Sequence, residues 1–200
     1  MTKKAMKSNI IFLVLFAFSA IAAADKQTNK QEVDLSKSTG VVSFLAVGRP
    51  SAIKIRGEGG HPTGLVTIDN HKLSGKLNFD LNSLKTGIDT RDHHMKEKYL
   101  DTSKYPEAEL TILNTSLPDN FSKDAKLKNI PFKGRLKLKD KEKDINGHFD
   151  LDRDNQNISL RAEFSLNLGS YGIDIPKYMG ITVAEDVTVT TDLKAELTDK

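Results

Sequence analysis

The sequence predicts an all-β fold: an antiparallel barrel of about eight strands carrying one short helical insertion near residues 90–104. Three observations support this. Apolar and polar residues alternate with period two along segment after segment, which turns one face of each segment to a core and the other to water. The turns between many of these segments are short, so successive strands are antiparallel neighbours. A single stretch, from Thr90 to Pro106, breaks the alternation with a dense cluster of charge, histidine and aromatic side chains. About eight strands is also the number at which a sheet closes on itself and loses its exposed edges. A two-sheet sandwich would give the same alternation, and the pattern by itself leaves that architecture open.

The chain opens with Lys3, Lys4 and Lys7, an apolar run from Ile10 to Phe18, and Ala22-Ala23-Ala24 before Asp25. These are the three parts of a secretory signal peptide, so residues 1–24 are expected to be cleaved after Ala24, leaving residues 25–200 as a single periplasmic domain. The apolar run is too short for a membrane span. With no cysteine in the sequence, disulfides, thiol nucleophiles and Cys-ligated metals are excluded. The chain holds 30 Lys and Arg against 27 Asp and Glu, and the signal segment takes three of the bases and no acid, so the remainder is balanced. A nucleic-acid partner would require a basic surplus or stripe, and the lysines here alternate with apolar residues instead.

Residues 25–37 are polar with little periodicity and read as a loose lead segment. Val41 to Val47 form a strand. Ile53 and Ile55, alternating with Lys54 and Arg56, form a second short one, before Gly57, Gly59, Gly60, Pro62 and Gly64 break the pattern. Leu65 to Ile68 lead into a turn at Asp69-Asn70, after which Leu73, Leu77, Phe79 and Leu81 share a face. Beyond the charged stretch, Ala108, Leu110 and Ile112 resume the alternation, followed by Phe132, Gly134, Leu136 and Leu138. A turn at Asp140-Lys141-Glu142 precedes Ile145, Gly147, Phe149 and Leu151. A second turn at residues 154–157 precedes Ile158, Leu160, Ala162, Phe164, Leu166 and Leu168. The last strand turns Val187, Val189, Leu193, Ala195 and Leu197 inward.

The inner face is apolar and almost free of ionisable groups. Such a face is either a filled core or the wall of a lumen, since burying a Leu or Phe contributes about 1.5–3 kcal/mol in both cases. The rival chemistries find little support. His93 and His94 are adjacent, about 100° apart on a helix, and cannot serve as i, i+4 ligands; His61, His71 and His148 fall on loops or a polar face, so no metal site is expected. Asp150, Asp152, Asp154 and Asn155 imitate the start of a calcium loop, but Asn155 replaces the turn glycine and Arg161 the bidentate Glu. No Gly-x-Ser-x-Gly elbow is present, and Gly169-Ser170-Tyr171-Gly172 does not reproduce one. Asp92 near His94 is the one pair that could support a hydrolytic or metal-dependent reaction, and a stress protein acting through its surface is the third reading.

Ile88-Asp89-Thr90-Arg91-Asp92, followed by His94-Met95, Tyr99-Leu100-Asp101 and Lys104-Tyr105-Pro106-Glu107-Ala108, resembles the signature region of the YceI-like family of periplasmic polyisoprenoid-binding proteins. The Gly169–Gly172 bend and the closing strand after Glu185-Asp186 are similar to that family's ending. The resemblance implies a lipocalin-like barrel without a catalytic residue or required cofactor, whose apolar lumen holds an isoprenoid or other long-chain lipid. Val33, where the family usually has an aromatic, and the glycine-rich stretch 57–64 depart from its pattern. On this reading Phe79, Leu81, Leu110, Ile112, Phe132, Leu136, Phe164, Leu166 and Val189 line the lumen, and Arg91, Asp92, His94 and Tyr99 sit at its mouth. The apolar lipid is the only partner expected; the oligomeric state is not encoded in the pattern, with which a homodimer is compatible.

Within the insertion, Asp89 or Thr90 is expected to cap a helix and Asp92 to lie in its first turn. Met95 and Tyr99 are expected to face the barrel while Lys96 and Lys98 stay wet, and Pro106 to end the segment.

Overall fold

The computed structural model describes residues 30–49, 54–175, 177–178 and 181–199. The expected signal segment and Ile53 lie outside the described residues.

Among the described residues, twelve strands form one antiparallel sheet. They are β1 (Gln31–Asp34), β2 (Thr39–Arg49), β3 (Lys54–Gly59), β4 (Thr63–Asp69), β5 (Lys72–Asp80), β6 (Glu107–Ser116), β7 (Lys126–Leu138), β8 (Lys141–Asp154), β9 (Asn157–Asn167), β10 (Lys177–Tyr178), β11 (Ile181–Glu196) and β12 (Thr198–Asp199). From β4 the hydrogen-bonded order runs through β5, β6, β7, β8 and β9 to β11, which pairs with β2. Only Leu197 separates β11 from β12, and β12 pairs back onto β1, itself paired with β4. The sheet therefore curls into a closed ring. β1 and β2 act as two halves of one bent strand, as do β3 and β4, so the twelve segments make about eight barrel staves. The sandwich alternative is excluded by this continuous pairing.

The turns are tighter than the sequence reading placed them. Asn70 and His71, both at positive φ, join β4 to β5; Lys139-Asp140 and Asn155-Gln156 join the next hairpins, with Lys139 and Asn155 at positive φ. Lys141, Glu142, Asp154 and Asn157 therefore belong to strands. Asn is one of the few residues that adopts this region readily, and two-residue turns with positive φ match the twist of flanking strands.

Two further expectations are corrected. The lead segment is not loose throughout: Val33 and Leu35 are buried, because β1 must pair with β4 and β12 to close the ring. Gly57 and Gly59 do not interrupt the chain but lie within β3. A Cβ at Gly57 would come within 2.4 Å of the Phe44 ring, and one at Gly59 within 2.8 Å of the Phe79 ring, so these positions admit large aromatic neighbours.

The two barrel ends differ. At one, residues 117–125 fold beneath the strands, burying Leu117, Phe121 and Ala125 with Leu127, Leu151 and Leu197 in one cluster. Arg153 lies there too, 8% exposed, with its guanidinium carbon 4.9 Å from the Phe121 ring centroid. Its Nε donates to the Asn155 carbonyl at 2.8 Å and its Nη1 to Gln31 Oε1 at 3.1 Å. The sequence reading overlooked both the floor loop and this arginine. The opposite end carries the insertion between β5 and β6.

Candidate functional site

The barrel encloses a cavity of about 930 Å³, near the upper end of the ~300–1,000 Å³ typical of small-molecule sites. Phe79, Leu81, Leu110, Ile112, Phe132, Leu136, Phe164, Leu166 and Val189 all line it. Leu81 does so from a 3₁₀ turn (Leu81–Ser83) just past β5. Exposure along the wall separates a lumen from a filled core. Leu127, Phe149 and Leu151, near the floor, are almost fully buried, whereas Leu110, Ile112, Phe164 and Leu166, facing inward higher up, are only half-buried. Inward-facing apolar side chains that keep accessible surface are facing open space. The reading missed Thr191, which follows the inward phase of Val187 and Val189 and also lines the cavity.

The mouth is built by residues 81–106. After the 3₁₀ turn, Lys85 pairs with Glu58 on the free edge of β3, with N–O distances of 2.8 and 2.7 Å, so the insertion covers an edge that would otherwise be open. Helix α1 (Asp89–His94) follows and continues as a π-helical segment (Met95–Leu100) that Asp101 closes in the left-handed region. Pro106 ends the insertion as expected, and its carbonyl accepts from Leu81 N–H at 2.8 Å.

The helix is not capped by Asp89 or Thr90. Ile88 occupies the N-cap position without a side-chain bond, because the acidic residue that reaches backward is Asp92. Its Oδ1 accepts from Thr86 N–H at 2.7 Å and also from the Thr86 hydroxyl. Arg91 converges on the same residue, Nε donating to Thr86 Oγ1 and Nη2 to the Thr86 carbonyl, both at 2.8 Å. Thr86 thus pins helix to loop, a role without a sequence signal. Burial works to raise the Asp92 carboxyl pKa, but the two Thr86 hydrogen bonds, with the Lys96 and Arg91 charges, outweigh it and hold the pKa below its ordinary value.

Of the four expected mouth residues, Arg91, His94 and Tyr99 line the cavity and Asp92 does not. Met95 and Tyr99 face the barrel as expected. Lys98 is exposed, as anticipated, yet it also lines the mouth, with its Nζ 5.5 Å from the Tyr99 ring centroid. Asp92 is bonded to Thr86, and among the described residues no hydrogen bond joins it to His94, so it does not orient that imidazole for base catalysis. His93 instead meets Glu97 at 3.0 Å on the outer face. The calcium-like run is also accounted for: Asp150 accepts from Asn129 N–H at 2.8 Å and pairs with Lys128 at 3.3 Å. Ser170 Oγ bonds to Asn167 Oδ1 at 3.3 Å.

An apolar lumen, one sealed end and a helical insertion over the other are the elements against which relatives can be compared. The sequence matches the YceI-like domain over residues 32–195. The chain belongs to the YceI-like family. Its fold is shared by a solved structure of Burkholderia cenocepacia BcnA, with a TM-score of 0.65 at 18% identity, covering 82% of this chain and 99% of that one. A polyisoprenoid-binding domain from Saccharophagus degradans, implicated in plant cell wall breakdown, matches with a TM-score of 0.61 at 16% identity, covering 83% and 97% of the two chains. The YceI protein of Campylobacter jejuni matches at 0.57 and 15% identity, covering 71% and 84%. Among curated proteins no match is found. At these identities the likeness establishes the YceI-like fold, and the ligand must be argued from the cavity. Among the described residues, no helix is long and apolar enough to cross a membrane.

Proposed function

We propose that this YceI-like protein is a non-enzymatic carrier that holds a long apolar molecule, an isoprenoid or similar long-chain lipid, in its barrel lumen, and that residues 1–24 direct it to the periplasm. The observation that carries the reading is the cavity of about 930 Å³, walled by apolar side chains and closed at one end. The polyisoprenoid-binding relative from Saccharophagus degradans supports the same ligand class.

The energetics favour long chains. Each buried methylene contributes about 0.8 kcal/mol, whereas association costs about 4–15 kcal/mol, so roughly ten buried carbons are needed before apolar contact yields useful affinity. Short alcohols are therefore expected to bind poorly, and affinity to climb with chain length until the lumen is full.

The test is mass spectrometry of a solvent extract from protein purified out of a Gram-negative host, paired with uptake of a fluorescent prenyl or alkyl probe by the stripped protein. A co-purifying long-chain lipid and saturable uptake are expected. A lipid-free extract together with no uptake would remove the carrier reading.

A further inference from the structure

The mouth sorts its charges. Among the described residues, three bases, Arg91, His94 and Lys98, line the cavity, and no Asp or Glu does. They stand three and four residues apart and so fall on one side of the helical segment. The acidic residues of that segment are elsewhere: Asp89 and Glu97 do not line the cavity, Glu97 pairs outward with His93, and Asp92 is held by Thr86. The other polar lining residues include Asn78 and Thr191, neither of them charged.

The arginine is also positioned before any ligand arrives. Its Nε and Nη2 are tied to Thr86, and among the described residues its Nη1 makes no hydrogen bond, leaving a donor on a fixed side chain; Thr90 also lines the cavity. A donor held in place by the protein loses less freedom on binding than a free side chain. Ile88, 52% exposed, lines the same rim and offers an apolar surface beside the bases.

We infer that the lumen selects amphiphiles with an anionic head, a phosphate or carboxylate seated against Arg91, His94 and Lys98 while the chain runs toward the floor. This rests on the carrier reading and narrows its ligand class. The mouth is open to water, so each base contributes modestly, and together they give about a tenfold preference over a neutral head.

The experiment measures displacement of a fluorescent alkyl probe from stripped protein by pairs matched in chain: farnesyl phosphate against farnesol, and palmitate against hexadecanol. The anion of each pair is expected to bind about tenfold tighter at low salt, and the preference to shrink at about 1 M salt, where the Debye length is ~3 Å. Lys98→Gln is expected to lower the anion-to-alcohol ratio about threefold, and His94→Gln combined with it to lower it further. Lys133→Gln, the same charge change on the outer wall, is expected to leave the ratio alone. A preference confined to one pair assigns the head as phosphate or as carboxylate. Equal affinity for anion and alcohol in both pairs, or a ratio that Lys98→Gln does not move, overturns the inference and leaves the carrier reading standing. If no member of either pair binds, the carrier reading fails and the inference falls with it.

Discussion

Arg153 and Arg91 sit at opposite ends of the barrel, and their surroundings differ. Arg153, at the floor, is buried, bonded to Asn155 and Gln31, and stacked over Phe121. Burial pushes its pKa down, while Asp199 and Asp124 pull the other way. Arg91, at the mouth, is half-buried and bonded only through Thr86, with part of its guanidinium left facing the cavity. The same side chain closes one end as structure and equips the other for contact. What separates them is packing: Arg153 is covered by the floor and lies over the Phe121 ring, whereas Arg91 stands at the open rim of the cavity.

Truncation should separate them most strongly. Arg153→Ala removes packing against Phe121 and two part-buried hydrogen bonds, for an expected loss of about 2–3 kcal/mol. Arg91→Ala is expected to cost less than about 1 kcal/mol, since its site is open to water. Urea unfolding midpoints measure both, and equal losses would erase the distinction between floor and mouth.

Acid should loosen the mouth before the floor. Asp92 has a folded pKa below its unfolded value, so its contribution is present above about pH 4 and is lost as pH falls through the lower, folded pKa. Protection of the Thr86 amide against hydrogen exchange, taken relative to the free-peptide rate at each pH, is expected to fall across that window and to be already low in Asp92→Asn. Exchange that stays slow in Asp92→Asn would show that Asp92 does not hold the loop.

The smallest effect is at Tyr171, which is 2% exposed at the mouth end and, among the described residues, has no hydrogen-bond partner for its hydroxyl. Tyr171→Phe is expected to be neutral or to stabilise by up to about 1 kcal/mol. Burial raises the phenol pKa, so above about pH 10 the unfolded chain releases a proton that the folded one keeps, and stability falls. The Phe variant should lose that part of the alkaline decline in melting temperature.

What the sequence disclosed follows from which interactions have a period. Alternation located the strands from Phe132 to Leu166 and the expected lining positions other than Leu81, which lies in a 3₁₀ turn, because a strand wall repeats every second residue. Arg153 continues the inward phase of Phe149 and Leu151, and so could have been found by extending the count past the last apolar residue. Leu117, Phe121 and Ala125, spaced by four, were a weaker sign of the floor. Thr86 could not have been singled out: its role comes from a helix folding back onto the loop before it, a contact without periodicity. The bent β1–β2 strand was hidden for a similar reason, since β12, its partner at closure, is two residues long.

The apolar wall faces open, ligand-sized space. Ala162 lines the cavity in β9, opposite Phe149 and Thr191 on its neighbouring strands. Titrating a fluorescent long-chain probe into stripped Ala162→Phe protein tests the claim directly, with urea unfolding run alongside. Wild-type-like stability is expected, with probe uptake reduced at least about tenfold, a loss of about 1.4 kcal/mol in binding. Unchanged uptake by the folded variant would contradict it.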